Sequence, residues 1–253
     1  MDHPEYHIEI GNATHIGQIR KQNEDYLAHF ETPLGYCVIV CDGMGGHPGG
    51  EIAAQTASTA IQKYLQDSQN CTSTVSDTLI NAFEFANFQL KELIKHNAAL
   101  NGMGTTCALA LIQRGLLYTA HAGDSRIYLI REKKMGQITK DHSSVQQLVD
   151  EGILTKDQAE NNINKNQILK AIGIFEMVSP SVSEEPLLLL KDDKLLVCTD
   201  GLTNNVNEEL IAETIFSIKD VQSSSLALID LANKNGGYDN ITVQVIHYRG
   251  DKN

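Results

Sequence analysis

The chain has 253 residues, 42% hydrophobic and 21% charged, with a formal net charge of −12, which is the make-up of an ordinary globular protein of one large or two small domains. Apart from Arg131-Glu132-Lys133-Lys134 it has no basic cluster, which argues against nucleic-acid binding, since that needs cationic patches for phosphates. The longest apolar run, 186–190, is too short to span a bilayer and the acidic N-terminus has no signal core, so a cytoplasmic protein that engages no membrane is expected.

Residues 6–10 and 26–30 alternate as strands, and 36–41 reads as a continuous buried strand. The period then changes. Ile52, Ala53, Thr56, Ala57, Ala60, Ile61, Tyr64 and Leu65 share one helical face over 51–66, and Val75, Leu79, Ala82, Phe83, Ala86, Leu90, Leu93 and Ile94 do so over 75–96. The polar link between them predicts an antiparallel helix pair. Strands at 105–113, 116–122 and 126–131, separated by short glycine-containing turns, predict a meander, with 131–134 as a solvated hairpin end. Residues 142–162 read as short polar helix with Asp141 or Ser143 as N-cap, and 161–181 have weak periodicity. A buried strand at 194–201, helices at 207–218 and 221–237 (the second stopped by Gly236) and a strand at 241–248 complete the chain.

Runs of strands and pairs of helices favour an α+β fold with antiparallel sheets over a doubly wound parallel one. One domain over 1–253 is the simplest organisation, with a small subdomain over about 143–180. The cysteines, Cys37, Cys41, Cys71, Cys107 and Cys198, are odd in number and form no C-x-x-C pair. Four lie in apolar strand-like runs, so they read as small buried hydrophobes, not as zinc ligands or disulfides.

Three aspartates stand where a β-branched strand meets a loop: Asp42 in VIVCDG, Asp200 in LLVCTDG and Asp239 in GYDNITVQVI. In an antiparallel sheet the end of one strand neighbours the start of the next, so the three can meet at one edge. A fourth, Asp124 in HAGDSRIYLI, is expected at a hairpin tip. Gathered carboxylates repel one another and tend to stay protonated unless a cation is present. An oxygen-only set selects hard divalent ions such as Mg²⁺ or Mn²⁺, and glycine after aspartate lets a backbone carbonyl turn inward as a further ligand. Any one Asp-Gly taken alone is simply a turn dipeptide. The glycines at 43–50 match neither a dinucleotide fingerprint nor a P-loop, because Pro48 stands at the third glycine position and no Lys-Ser/Thr follows.

With these aspartates aligned, the chain resembles a bacterial-type member of the metal-dependent PPM family of protein serine/threonine phosphatases, which are protein phosphatase 2C-like. The resemblance rests on GQIRKQNED (17–25), DGMGGH (42–47), GTT (104–106), GDSR (123–126), DHS (141–143), CTDGL (198–202) and DN (239–240), in order along nearly the whole chain. It implies a four-layer α-β-β-α sandwich, two antiparallel sheets each covered by a helix pair, with metals at one edge between the sheets. It implies that Asp42 bridges two Mn²⁺ or Mg²⁺ ions with the Gly43 carbonyl on one, that Asp200 and Asp239 hold the other, and that Asp124 serves a third. Glu24, Asp25 and Asn240 lie nearby, and Arg20 binds the substrate phosphate with its donor fork. The implied reaction is hydrolysis of phosphoserine or phosphothreonine by a metal-bridging hydroxide, reversing a cognate serine/threonine kinase.

Two positions depart from the pattern. Animal-type members carry a histidine directly after Asp-Gly, proposed as general acid; here Met44 stands there and His47 is the nearest substitute, its other reading being a turn histidine. Lys170 stands where an arginine is common, and lysine does not replace the bidentate fork. The alternatives are a regulator-type phosphatase or a non-catalytic phosphoprotein-binding module on the same fold. The intact aspartate set and Arg20 favour the enzyme, and the lack of room for an interaction domain favours a monomer.

Overall fold

The computed structural model describes residues 6–45, 49–70, 73–160 and 162–251. The elements in chain order are β1 (Tyr6–His15), β2 (Asp25–Thr32), β3 (Gly35–Met44), α1 (Gly49–Gln66), α2 (Val75–His96), β4 (Gly104–Thr105), β5 (Cys107–Gln113), β6 (Leu116–Ala122), β7 (Arg126–Arg131), β8 (Lys134–Gln137), α3 (Ser144–Asp150), α4 (Lys156–Glu160), β9 (Ser181–Val182), β10 (Leu187–Leu188), β11 (Lys194–Cys198), α5 (Asp200–Thr203), α6 (Glu208–Ser217), α7 (Val221–Lys234) and β12 (Ile241–Asp251). The strands form two sheets, β1-β12-β11-β7-β8 and β10-β6-β5-β3-β2, with β4 on β3 and β9 on β6. Every pairing in the ladders is antiparallel. The architecture is the expected α+β sandwich of two sheets flanked by helices.

The two-residue period explains why β3 and β11 read as continuously apolar. Cys37, Ile39 and Cys41 face α1 and α2, packing with Ala57, Ile61, Phe83 and Leu90. Val38 and Val40 face the opposite sheet, meeting Ile127, Leu195, Val197 and Ile246. Leu196 and Cys198 turn outward to α6 and α7, against Ile211, Ile215 and Leu228. Each central strand is thus covered on both faces, so no polar alternation survives. The described cysteines, Cys37, Cys41, Cys107 and Cys198, are buried and free. No helix among the described residues is long and apolar enough to cross a membrane.

The expected three-strand meander is not formed. β5 pairs with β6, but β7 pairs with β11 and β8 in the other sheet. Gly123-Asp124-Ser125 carries the chain across, with Gly123 at φ 105°. Three residues span about 10 Å, the spacing of stacked sheets, so a short turn serves a crossing as readily as a hairpin. Asp124 therefore lies on the bridge between the sheets and not at a hairpin tip. The true hairpin is β7–β8, where Glu132 and Lys133 both take positive φ (49° and 67°), as a two-residue turn requires. Ser143 caps α3, accepting from the Gln146 amide at 3.3 Å, while Asp141 is bound instead to Arg126. The α7 helix ends at Lys234, just before Gly236 and Gly237, both at positive φ.

A buried glutamine helps tie the sheets together. Gln244 of β12 is fully buried and its Nε2 donates to the carbonyls of Ile39 (2.7 Å) and Ala28 (3.2 Å) across the interface. Gln244→Ala removes both bonds and leaves a void, so unfolding in urea should report a loss of about 2 kcal/mol; an unchanged midpoint would show that the bonds add nothing net.

Elsewhere the rings of His121 and His142 stack with centroids 4.4 Å apart. Burial, then His121, then Lys170 push His142 down to about 3 from an ordinary 6.5. The unfolded chain therefore takes up a proton below pH 6.5 that the folded chain refuses, so this residue destabilises the fold increasingly as pH falls through that window. His142→Gln should flatten the decline of unfolding free energy below pH 6.5; an identical pH profile would contradict this.

Candidate active site

The C-terminal ends of β3 and β11 and the start of β12 lie at one edge of the sandwich, and each delivers an aspartate there. Asp42 lies in β3 directly opposite Asp25 of β2. Asp200 opens α5, immediately after β11, and Asp239 precedes β12. Asp124 arrives on the crossing between sheets. Asp42 is pushed up first by burial, then by the charges of Asp25, Asp200, Asp124 and Asp239. Burial, then Asp200 and Asp141, push Asp124 up. Burial and Asp239 raise Asp200, partly offset by a hydrogen bond with Asp42. Burial likewise raises Asp25 to about 7. The structure thus brings all four sequence-predicted aspartates together with Asp25, drawing them from both sheets.

The carboxylates are held by groups to which the sequence reading gave no role. Thr106 Oγ1 accepts from the Asp42 amide at 3.0 Å and bonds Ser125 Oγ at 2.7 Å. Thr105 Oγ1 donates to the Asp42 carbonyl at 2.9 Å. Thr199 Oγ1 donates to Asp25 Oδ2 at 3.0 Å and accepts from the Thr242 amide, linking the sheets. Asn204 Nδ2 donates to Asp200 Oδ2 at 2.9 Å. The threonines lie inside motifs quoted for the family resemblance; Asn204 stands one helical turn beyond Asp200, the only sequence hint of its role.

Asn240 clasps the loop that carries Arg20. Its Nδ2 donates to the carbonyls of Ile16 and Gln22, both at 2.9 Å, and its Oδ1 accepts from the Glu24 amide at 2.8 Å. Arg20 then reaches Asp239, Nη2 to Oδ2 at 2.7 Å. Burial opposes the guanidinium charge, but Asp239, Asp42 and Glu24 outweigh it and raise the Arg20 pKa.

The Asp-Gly glycines have a different reason from the one the sequence predicts. Neither Gly43 nor Gly201 takes positive φ. A Cβ on Gly43 would lie 2.1 Å from the Gly50 carbonyl oxygen, and one on Gly201 would lie 1.8 Å from that of Asn240. They permit close backbone approach rather than an unusual turn. His47 lies outside the described residues. Lys170 is not at the carboxylate edge; it lines a separate pocket with His121 and His142.

Glu24 Oε1, Asp25 Oδ1 and Asp200 Oδ1 are buried with no hydrogen-bond partner. Among the described residues no three His, Cys, Asp or Glu side chains are closed into a metal-holding group. The donors are nevertheless all oxygen, mutually repulsive and partly orphaned, which suits a hard divalent cation. Asp124 and Asp200 also line a cleft of about 830 Å³, together with Lys156, Lys165 and residues Asn205 to Glu209. Thr106→Val keeps the side-chain volume but removes the support of Asp42. Calorimetric titration should show divalent-ion affinity lowered by about tenfold; wild-type affinity would mean Asp42 needs no such support.

A family model described as protein phosphatase 2C matches residues 14–227. The chain is 36% identical over 242 residues to protein phosphatase PhpP of Streptococcus pneumoniae, covering 94% of this chain and 97% of that protein. It superposes on the Streptococcus agalactiae serine/threonine phosphatase with TM-score 0.87 at 36% identity, covering 95% of this chain and 99% of that one. The catalytic domain of the serine/threonine phosphatase PstP, solved in complex with two manganese ions, superposes with TM-score 0.83 at 33% identity, covering 95% of this chain and 98% of that one.

Proposed function

The chain belongs to the protein phosphatase 2C family, and we propose that it hydrolyses phosphoserine and phosphothreonine in proteins at the carboxylate edge. The observation that carries this reading is the convergence of five buried or half-buried aspartates from both sheets, four of them orphaned or raised by one another's charge. Asp42, the Gly43 carbonyl, Asp200 and Asp239 would hold a pair of divalent cations, and Asp124 would hold a third. The family is metal-dependent, and the two manganese ions of PstP support a pair here; Mn²⁺ and Mg²⁺ both suit the oxygen donors. When bound, such ions activate water near neutral pH and offset phosphoryl charge during in-line displacement.

The protein's own groups do the rest. Arg20 supplies a two-pronged donor for phosphate oxygens. It is bonded to Asp239, so a cation on that carboxylate and a phosphate beside it would each favour release of the guanidinium toward substrate. Asn240 keeps the Arg20 loop against the edge, and Asn204 and Thr199 fix Asp200 and Asp25. The segment at about 143–180 is read as a flap over the cleft, where phosphoprotein chains would lie. A cognate serine/threonine kinase would supply the substrates, and the protein acts as a monomer. His47 remains the assigned candidate for general acid.

Hydrolysis of a phosphothreonine peptide should require Mn²⁺ or Mg²⁺, stop in EDTA, and fall by at least about a hundredfold in Asp42→Asn and Asp239→Asn. Turnover that persists in EDTA would overturn the metal assignment. A folded protein that binds metal and phosphopeptide without turnover would favour the binding-module reading.

A further inference from the structure

Asp141 and Ser143 are common walls of the cleft and of a second pocket of about 420 Å³. This pocket is lined by His121 of β6, the loop 138–143, Leu169, Lys170 and the strand segment at Ser181–Ser183. Its volume is typical of small-molecule sites and far exceeds what a bare inorganic ion fills.

The charges in the pocket do not cancel. Asp141 is paired with Arg126 at 2.6 Å, and Asp150 with Lys140 at 2.7 Å. Lys170 is half-buried, and among the described residues it has no ion-pair partner. Its charge adds to the burial that already lowers His121 and His142. Both imidazoles stay neutral, leaving one uncompensated ammonium facing the space.

Hydrogen-bond donors converge on the same space. His142 Nδ1 accepts from the Gly123 amide at 3.2 Å, so its proton sits on Nε2 and is donated to Ser181 Oγ at 2.8 Å. Ser183 Oγ accepts from the Thr119 amide at 3.1 Å. Each serine oxygen is thereby oriented as an acceptor and keeps its own proton to give. Two hydroxyl protons and an ammonium make a donor set for one oxyanion, and Ile138 and Leu169 offer apolar surface beside it.

We propose that this pocket binds the phosphate or carboxylate group of a small organic anion, held by Lys170, Ser181 and Ser183, with its carbon skeleton against Ile138 and Leu169. The site is independent of the phosphatase reading. It also sits where the start of the flap is tied back on itself: the Leu169 amide donates to the His142 carbonyl at 2.7 Å and the Ser144 amide to that of Gln167 at 2.9 Å. An occupant joining Lys170 to the serines would brace that root.

The test is calorimetric titration of the full chain in EDTA with O-phosphoserine, succinate and inorganic phosphate, using wild type, Arg20→Ala, Lys170→Gln and Ser181→Ala. Saturable binding of O-phosphoserine or succinate is expected in wild type and Arg20→Ala, weakened about tenfold in Lys170→Gln. Whichever of the two binds assigns the headgroup as phosphate or carboxylate, and inorganic phosphate should bind more weakly than either. Binding abolished by Arg20→Ala and untouched by Lys170→Gln would place the anion at the carboxylate edge and overturn the proposal, as would no saturation with any probe. Should Lys170→Gln fail to fold by circular dichroism, Ser181→Ala and Ser183→Ala carry the same comparison.

Discussion

The governing constraint in this protein is electrostatic repulsion among carboxylates that the fold forces together. Asp25 and Asp42 face each other across a ladder, a placement that like charges ordinarily disfavour. Asp200, Asp239 and Asp124 approach the same pair from the other sheet and from the crossing. Burial makes matters worse, because it disfavours the charged form of each. Only surrounding structure that over-determines these positions can keep them there. The threonine and asparagine bonds to Asp25, Asp42 and Asp200 are that structure, and Gln244 keeps the two sheets that carry them in register.

The division of labour between the two halves follows from this. The helices pack on the outer faces and build an apolar layer with each sheet, while the inter-sheet layer is apolar in its middle and polar toward the site, where Thr199, Thr242 and Gln244 are buried. Polar groups are tolerated inside only when bonded, and here the bonds of Thr199 to Asp25 and of Gln244 to Ala28 and Ile39 run from one sheet to the other. The carboxylate edge is thus built at a seam, with neither sheet supplying the whole set.

Much of this was legible in the residues. The long helices at 51–66 and 75–96 declared themselves because their stripes are strongly periodic, and β3, β11 and β12 did so through β-branched runs ended by aspartate or, for β12, preceded by it. The crossing at 123–125 was not legible, because glycine and aspartate between two apolar strands serve a hairpin and a sheet-to-sheet bridge equally well. Two-residue strands such as β9 and β10 carry no period at all. At the site, the aspartates were visible as strand-end carboxylates, but Asn204 and Thr199 were not, since their meaning lies in partners remote in sequence or one helical turn away. The glycines were read for conformational freedom, whereas Gly43 and Gly201 are needed because another backbone passes where a side chain would be.

The pairing of β1 with β12 joins the two ends of the chain in one ladder, from Tyr6 opposite Asp251 to His15 opposite Ile241. Asn240, just ahead of β12, clasps the loop at 16–24, and Asp239 beside it completes the carboxylate set. During synthesis, therefore, β1 waits unpaired on this side until β12 has left the ribosome. Contacts of such long sequence separation slow folding. They also mean that a chain shortened before Asp239 lacks both that carboxylate and the clasp, so the carboxylate edge is assembled only when residues 16–24 and 239–240 are present together.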